Sequence, residues 1–356
     1  MATLSLSAIS VAMSILLMDG LTKQFRQDIP LLHLLNIKTG AGKALFWNPK
    51  FDARSAGGAY AEGADMSDSD YDSHTRVQAT LAWAAYRAGA KVSGLAEAVS
   101  ASGGYAGGAS VFQEELEDAI DKVATDLGTD LYGGDPTAAP TELAGAATAI
   151  DSSGTFASID PTSYTGWAAG ENAIATADLS IQNIREKLFR PVKDATGRRP
   201  DFVTLAGDIY DSVAALFDDK AEVREISVGG NTVDIVQSFG GQGFYVDGVP
   251  FIEDRFATAS TMYAWSSRFV EIVQLPAVKP NVDAAEVVAA IKQLTGVDVQ
   301  VADVEARIRS MRENPGALIP FVEMLSQTGD AYKAQVKVYV QLKWKRRNAF
   351  SKLILT

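Results

Sequence analysis

One long amphipathic segment constrains the fold of this chain more than any other feature of its sequence. Apolar residues recur at helical spacing along one side of it: Phe112, Leu116, Ala119, Ile120, Val123, Leu127 and Leu131. A capping box formed by Ser110 and Gln113 marks its start, and glycines beyond residue 131 mark its end. The pattern over 110–131 therefore predicts a helix about 33 Å long, the spine of one domain.

The residues before this helix leave apolar surface without a partner. Residues 40–92 are predicted to form a two-stranded excursion, whose tip, 52–73, is small, polar and acidic. Residues 1–39 form an arm that is partly apolar and ends near a cluster of leucines. A hairpin of this size is marginal by itself. Both segments are therefore expected to lie against another surface, such as that of a second subunit.

The rest of the chain mixes helices and strands without regular alternation. The patterns predict these elements in order: a helix at 176–189 closed by Pro191, a strand at 202–205, a helix at 207–217, strands within 223–275, helices within 283–327 and a closing strand at the end. This order indicates the α+β class.

The composition excludes several kinds of chemistry. Because the chain has no cysteine, it has no disulfide, no thiolate nucleophile and no cysteine-ligated zinc. Its two histidines, His33 and His74, are too few for a multi-histidine metal site, and its net charge of -12 disfavours a general nucleic-acid binder. No basic region precedes the apolar start, and charged residues interrupt it too early for a membrane span. The sequence predicts no cofactor, no metal and no membrane association.

Four local motifs follow one another in a distinctive order. They are AKVSGLAEAVSAS (90–102) leading into SVFQEELEDAIDKVATDLGTDLYGGD (110–135), RPDFVTLAGDIYDSVAALFDD (199–219), GGQGFYVDGVPFIEDRF (240–256) and YVQLKWKRRNAFSKLIL (339–355). Each motif is degenerate alone, and the specificity lies in their order. Together they resemble the major capsid proteins of tailed double-stranded-DNA bacteriophages, which have the Hong Kong 97-type fold.

The resemblance implies an α+β phage capsid fold made of six segments. These are an N-terminal arm (1–39), an extended β-hairpin loop (40–92), a peripheral domain with the spine helix (93–175), an axial domain (176–275), a helical insertion (276–332) and a closing strand that returns to the peripheral domain (333–356). The insertion departs from the family pattern, and the resemblance assigns it no role.

The resemblance also implies a function without catalysis. The chain is expected to be a major capsid protein that self-assembles as hexamers and pentamers into an icosahedral shell. This shell would enclose phage double-stranded DNA without sequence-specific binding, and it would be assembled in the host cytoplasm and located in the virion. The expected partners are further copies of the chain, a portal and a decoration protein. Because the chain opens with a short arm, scaffolding is expected to be a separate protein or dispensable.

Two other functions are open on the sequence alone. An encapsulin-type nanocompartment has the same fold and encloses cargo proteins, although the long loop and the leading arm favour a phage capsid. A carboxylate-dependent hydrolase would use a pair such as Asp208 and Asp211. That pair is more simply explained as part of a solvated helix face.

The loop tip carries a cluster of aspartates: Asp65, Asp68, Asp70 and Asp72. The spacing of the last three is that of the start of a calcium loop. However, Ser73 occupies the glycine position of such a loop, and Ala79 stands in place of its bidentate glutamate. The favoured interpretation is a solvated tip that docks on a basic patch of a neighbour.

The stretch 333–352 holds seven basic residues and no acidic one: Lys333, Lys337, Lys343, Lys345, Arg346, Arg347 and Lys352. It is interpreted as a socket for acidic loops of neighbours, as a genome-facing patch or as an ordinary charged strand face, and the socket is favoured. The predicted inter-subunit contacts are therefore the four tip aspartates, the loop aromatics Trp47, Phe51 and Trp83, and the basic residues Lys343, Lys345, Arg346 and Arg347.

Overall fold

The structure, a computed structural model, describes residues 10–12, 14–15, 29–50, 59, 62, 77–99, 111–216, 226–228, 231–233, 244–276, 283–295, 298–313, 320–325 and 330–356. Its helices are α1 Pro30–Leu34, α2 Gly94–Val99, α3 Val111–Gly133, α4 Ala146–Ala149, α5 Ile181–Asn183, α6 Arg190–Thr196, α7 Gly207–Ala215, α8 Ala284–Thr295 and α9 Val301–Glu313. Its strands are β1 Asn36–Thr39, β2 Ala44–Trp47, β3 Ala79–Ala82, β4 Ala84–Ser93, β5 Gly170–Ile174, β6 Phe202–Leu205, β7 Ile226–Val228, β8 Asn231–Val233, β9 Phe244–Val246, β10 Val249–Glu253, β11 Thr261–Trp265, β12 Val270–Gln274, β13 Phe321–Met324, β14 Ala331–Trp344 and β15 Ser351–Leu355.

Two mixed sheets form the framework. The five-stranded sheet has the order β1-β12-β14-β13, with β4 also paired to β14. The six-stranded sheet has the order β5-β15-β11-β6-β10-β9. In the first sheet β1 runs parallel to β12, whereas β14 runs antiparallel to β4, β12 and β13. The hairpins β2-β3 and β7-β8 form separate two-stranded sheets.

The long helix predicted at 110–131 is confirmed as α3, which packs against β4 and β14. Its apolar side, from Leu116 to Tyr132, is buried because it covers one face of the five-stranded sheet. Tyr86 of β4 also donates a hydrogen bond of 2.7 Å to Asp130 of α3. This polar contact fixes the position of the helix along the strands.

A cluster of aromatic rings joins the two sheets. Trp265 of β11 stacks on Trp344 of β14, with ring centroids 5.6 Å apart, and both side chains are fully buried. Phe350 meets Trp344 edge to face at 4.8 Å. Burial of three large rings at one point contributes strongly to stability, since aromatic side chains carry the largest apolar areas. The two sheets therefore share one core.

The sequence predicts that Pro191 closes the second amphipathic helix. In the structure the helix continues past this residue. The helical path continues through a π-helical turn, Ile184–Phe189, into α6, and it ends at Gly197 in the left-handed conformation. Proline lacks an N–H group and crowds the preceding turn of an α-helix. It is tolerated here because it lies at the start of α6, directly after the wider π turn.

The closing strand predicted at 333–356 is divided between the two sheets. Its first part is β14 in the five-stranded sheet, and its last part is β15 in the six-stranded sheet, beside β5 and β11. A 3₁₀ turn at Arg347–Ala349 separates them. The end of the chain therefore connects the sheets. β15 lies between β5, in the segment predicted as peripheral, and β11, in the segment predicted as axial.

The arm's leucines are buried within their own chain, without need of a neighbour. Leu31, Leu32 and Leu34 are at most 7% exposed and belong to the main core. Residues 10–12 and 14–15 are helical, and they pack against α8 and α9 through Val11 and Ile15. The described part of the arm thus covers surface of its own subunit.

The insertion predicted as helical contains a strand as well as two helices. This strand, β13, pairs with β14 on one edge. On its other side, the side chains of the arm satisfy its backbone: Val322 N donates to Ser14 Oγ at 3.1 Å, and Met324 N donates to Ser10 Oγ at 3.0 Å. The arm therefore covers an edge strand that would otherwise invite pairing with another chain.

Replacing Ser14 with alanine is expected to loosen the insertion. The buried Val322 amide would lose its acceptor, which typically costs about 1–3 kcal/mol. Amide hydrogen exchange in α8 and α9 should therefore become faster. The control is Ser212→Ala, because the Ser212 hydroxyl is exposed and bonds only within α7. Equal exchange in both variants would contradict the role given to Ser14.

Candidate functional site

The base of the predicted loop is a short antiparallel hairpin that stands apart from the larger sheets. Trp47 of β2 pairs with Ala79 of β3, and among the described strands β2 and β3 pair only with each other. Leu45 and Trp47 face the core, whereas Phe46 between them is 53% exposed. The hairpin thus presents an apolar side chain outward at the point where the acidic tip begins.

The acidic tip itself lies outside the described residues. This applies to Phe51, Asp65, Asp68, Asp70 and Asp72, so that the calcium site and the docking contacts stay predictions. Within the described ranges, no group of three acidic or histidine side chains is placed to hold a metal ion. Nor is any helix in those ranges long and apolar enough to cross a membrane.

Two loop tryptophans fix the base of the hairpin to their own chain. Trp47 is buried, and its Nε1 donates a hydrogen bond of 3.0 Å to the backbone oxygen of Trp344. Trp83 is half-buried, and its Nε1 donates to the backbone oxygen of Gly42 at 3.0 Å. The inter-subunit contact predicted for Trp47 does not fit its burial, because only 8% of the residue is exposed to a neighbour.

Arg347 is buried as well, against the prediction that it contacts a neighbouring subunit. It donates to the backbone oxygens of Ala149 at 2.5 Å and Gly154 at 2.8 Å. Burial lowers the pKa of Arg347 to about 10, so it is still protonated at neutral pH. Arg346 is half-buried and donates to Asn348 Oδ1 at 2.8 Å. This part of the basic stretch stabilises the turn between β14 and β15.

Two lysines neutralise a buried carboxylate at the other end of the five-stranded sheet. Lys345 and Lys38 both form ion pairs with Glu271, whose side chain is 5% exposed. Burial disfavours the charged form of Glu271, but hydrogen bonds from Lys345 and Lys38 outweigh this and lower its pKa. Lys343 lies directly opposite Glu271 in the β12–β14 register. Lys38 and Lys345 are therefore used within the subunit.

The remaining lysines of β14 belong to a basic surface shared with β4. Lys333 lies opposite Lys91, and Lys337 lies opposite Arg87. Directly opposed residues of an antiparallel pair share one side of the sheet. These four residues, Arg87, Lys91, Lys333 and Lys337, are termed the basic face. Glu323 of β13 forms an ion pair with Lys337 at its margin.

Arg87 and Lys91 were not indicated by the sequence patterns. The signal that could have found them is the period of two in β4, in which Tyr86, Ala90 and Val92 are buried while Arg87 and Lys91 are exposed. Tyr86 and Ala90 belong to the core that α3 covers, so the charged residues must face solvent in the isolated subunit.

A second group of charges holds a tight turn of the six-stranded sheet. Asp247 and Gly248 connect β9 to β10 with positive φ angles of 54° and 83°, as a two-residue hairpin turn requires. Arg185 from the π-helical turn donates two hydrogen bonds, of 2.5 and 2.6 Å, to Asp247. These bonds lower the pKa of Asp247. Both residues line an open cavity of about 580 Å³, together with Arg199, whose NH1 donates to the Asp247 backbone oxygen.

Asp254 is a buried carboxyl beside the spine helix. Its Oδ2 accepts a hydrogen bond of 2.8 Å from the Tyr132 hydroxyl, and its Oδ1 accepts one of 3.0 Å from Phe256 N. Burial raises the pKa of Asp254 above its usual value, because the charged form loses hydration. The protonated form is therefore favoured more in the folded chain than in the unfolded chain.

This shift predicts a pH dependence of stability. With a raised folded-state pKa, the contribution of Asp254 is complete below the unfolded pKa of about 3.9 and is lost as the pH rises through the folded-state pKa. Asp254→Asn should keep the bond from Phe256 N through its amide oxygen, replace the other by a bond from its amide nitrogen to the Tyr132 hydroxyl oxygen, and remove this loss. Denaturant unfolding from about pH 4 to pH 7 should show the variant gaining stability relative to the wild type. A difference that stays constant over this pH range would contradict the assignment.

No protein-family model and no curated protein matches the chain. Solved structures do match it. The capsid asymmetric unit of cyanophage A-1(L) matches with a TM-score of 0.63 at 16% identity, over 92% of this chain and 92% of that one. The capsid of a native GTA particle matches with a TM-score of 0.54 at 12% identity, over 92% and 89%. The chain has the fold of tailed-phage capsid proteins.

This capsid fold confirms the predicted α+β class with a spine helix. It is also the fold of the holo-SrpI encapsulin complex from Synechococcus elongatus PCC 7942, which matches with a TM-score of 0.51 at 12% identity, over 91% of this chain and 86% of that one. Phage capsid subunits and an encapsulin therefore both share the fold of this chain.

The carboxylate pair of the hydrolase alternative lies on a solvated surface of the capsid fold. Asp208 and Asp211 are both exposed on α7. Asp208 Oδ2 accepts a hydrogen bond of 3.1 Å from Ser260 N, so one of its oxygens holds the loop before β11. This arrangement is typical of the solvent-exposed side of a helix, as the sequence analysis favoured for this pair.

Proposed function

We propose that this chain is the major capsid protein of a tailed double-stranded-DNA phage. It assembles as hexamers and pentamers into an icosahedral shell, and it catalyses no reaction. The observation that carries the proposal is the similarity in fold to the cyanophage A-1(L) capsid subunit, which spans 92% of both chains. A match of that extent leaves no large part of the chain for a separate catalytic domain.

The surface of the isolated subunit supports assembly. Phe46 on the hairpin is 53% exposed, and Leu95 on α2 is 72% exposed. Tyr339, next to the basic face on β14, is 40% exposed. Apolar side chains at protruding elements are typical of surfaces that become buried between subunits. The hairpin is therefore proposed to reach a neighbouring subunit.

The charge of the chain fits a container for DNA. Affinity for DNA comes mainly from basic residues that neutralise phosphates, and a net charge of -12 limits such binding. The shell would enclose double-stranded DNA without sequence-specific contacts. In this role the chain is located in the virion after assembly in the host cytoplasm. Its partners are other copies, a portal, a separate scaffolding protein and a decoration protein.

An encapsulin-type shell is the second candidate, because the SrpI complex shares the fold. The higher TM-score of the cyanophage capsid favours the phage function. The two candidates can be distinguished by purifying particles from the source that naturally makes the chain and identifying their contents. Nuclease-protected double-stranded DNA inside them would support the phage capsid. Particles that hold a second protein and no protected DNA would support the nanocompartment instead.

A further inference from the structure

An open cavity of about 580 Å³ lies between the helical path at 184–196 and the turn that joins β9 to β10. The proposed function gives this cavity no role. Its walls carry four cations: Arg185, Arg190, Lys193 and Arg199. Three acidic side chains line it as well: Glu186, Asp194 and Asp247. Four cations against three acids leave one positive charge in excess, in a chain whose net charge is -12.

The π-helical turn places two of these cations on the same side of the helical path. The backbone N–H of Arg190 donates to the backbone oxygen of Arg185, five residues earlier, instead of four as in an α-helix. In an α-helix, residues five apart point about 140° away from each other. The wider turn reduces this angle, so that both arginines line the cavity. Lys193 follows Arg190 by three residues, which is the spacing of neighbours on a helix face.

Asp247, on the opposite wall, is shared by two of the cations. Arg185 donates hydrogen bonds of 2.6 and 2.5 Å to its carboxylate. The NH2 of Arg199 lies 3.7 Å from Asp247 Oδ2, and the NH1 of Arg199 donates to the neutral backbone oxygen of Asp247. One carboxylate thus faces two guanidinium groups. Because the Arg199 side chain is 51% exposed, donors of its guanidinium are open to an anion in the cavity.

The cations of α6 are used little within the chain. The Lys193 ammonium has no hydrogen-bond or ion-pair partner among the described residues. Arg190 pairs with Asp194 at 3.8 Å, but these side chains are 70% and 71% exposed, and such a pair opens at small cost. The remaining acid, Glu186, accepts a hydrogen bond of 3.2 Å from Gln182 Nε2. Arg190 and Lys193 are therefore available to an anion.

We propose that this cavity binds a small oligophosphate anion, held by Arg190 and Lys193 on one wall and by Arg199 on the other. Guanidinium and ammonium groups are common ligands of phosphate oxygens in proteins. The cavity volume is within the range of small-ligand sites, so two or three linked phosphate groups would reach both walls. Phe189, the aromatic residue of the lining, is 3% exposed and offers no ring on which a base could stack. The ligand is therefore phosphate without a nucleoside.

Titration calorimetry of the full chain with tripolyphosphate at low salt tests the proposal. The wild type is expected to show saturable binding that weakens as salt is added. Lys193→Glu should weaken binding by about ten-fold or more, because it places a like charge beside the anion. The matched control is Lys187→Glu, which makes the same change on the same helical path, at an exposed residue outside the cavity lining. It should bind as the wild type does.

Thermal unfolding provides a second measurement. Tripolyphosphate should raise the unfolding midpoint of the wild type, since a ligand of the folded chain stabilises it by mass action. Sodium sulfate at the same ionic strength is the control for general salt effects. No saturable binding to the wild type, equal losses in the two variants, or an equal rise with sulfate would overturn the proposal.

Duplex DNA is the alternative occupant, because it presents phosphates too. Binding of a DNA duplex that requires Lys193, without binding of tripolyphosphate, would overturn the proposal and identify DNA instead. The inference goes beyond the proposed function and does not depend on assembly. A chain that binds tripolyphosphate and forms no particles would contradict the proposed function alone. Particles that do not bind tripolyphosphate would contradict this inference alone.

Discussion

Trp344→Ala is expected to lower the free energy of unfolding by about 3–5 kcal/mol, the usual range for removing a buried tryptophan from a core. The Trp344 ring lies between Trp265 at 5.6 Å and Phe350 at 4.8 Å, where the two sheets meet. Its Nε1 also donates a hydrogen bond of 3.1 Å to the backbone oxygen of Ala144, which would lose its partner. Denaturant unfolding followed by tryptophan fluorescence and far-UV circular dichroism measures the loss.

The matched control is Trp83→Ala. Trp83 is half-buried at the hairpin base, so the same change of side chain should cost about 1–2 kcal/mol. Equal losses in the free energy of unfolding from the two substitutions would contradict the large contribution to stability that we assign to the junction between the sheets.

Deleting residues 54–71 is expected to abolish closed shells while leaving the subunit folded. The deletion removes the acidic tip but keeps β2, β3 and the bond from Trp47 Nε1 to the Trp344 backbone. Since the core lies elsewhere, the midpoint of thermal unfolding should change little. Assembly should stop at monomers or capsomers, because the hairpin no longer reaches a neighbour. Light scattering and negative-stain microscopy of the purified variant provide the measurement.

A variant with an equal number of glycine and serine residues in place of 54–71 is the control for loop length. It should also fail to assemble, because it restores length without the acidic side chains. Closed shells from the deletion variant would overturn the role of the loop. Closed shells from the glycine-serine variant alone would show that length, and not charge, is what assembly needs.

Several elements could be predicted because local signals and tertiary packing agree there. The strand at 202–205 coincides with β6, all four of whose residues are buried. The helix predicted at 110–131 is α3, Val111–Gly133. The apolar residues along one side of α3 indicate which side faces the sheet, so the periodicity of the sequence was sufficient to predict both the helix and its buried side.

Other elements could not be predicted because tertiary contacts decide them. The alternation that indicated one closing strand does not show that Arg347 turns inward and binds the backbone oxygens of Ala149 and Gly154. Nor does the sequence show that Ser10 and Ser14 cover β13, more than 300 residues away. In both cases side chains bond to backbone that is distant in sequence, and local patterns do not carry this information.

The candidate contact residues also include features that a local pattern predicts and features that only tertiary contacts decide. Exposure on a strand follows from a period of two, and that period would have located Arg87 and Lys91 on β4. The pairing of β4 with β14, which places Lys91 opposite Lys333, is a long-range register. Only the folded chain shows that basic residues about 250 positions apart form one surface.

The central claim is that this chain builds a shell, and particle formation tests it most directly. Purified chain, alone and co-expressed with the proposed scaffolding protein, would be studied by light scattering and negative-stain electron microscopy. The proposed function predicts closed particles or ring-shaped capsomers. A chain that stays monomeric at high concentration under both conditions would contradict it.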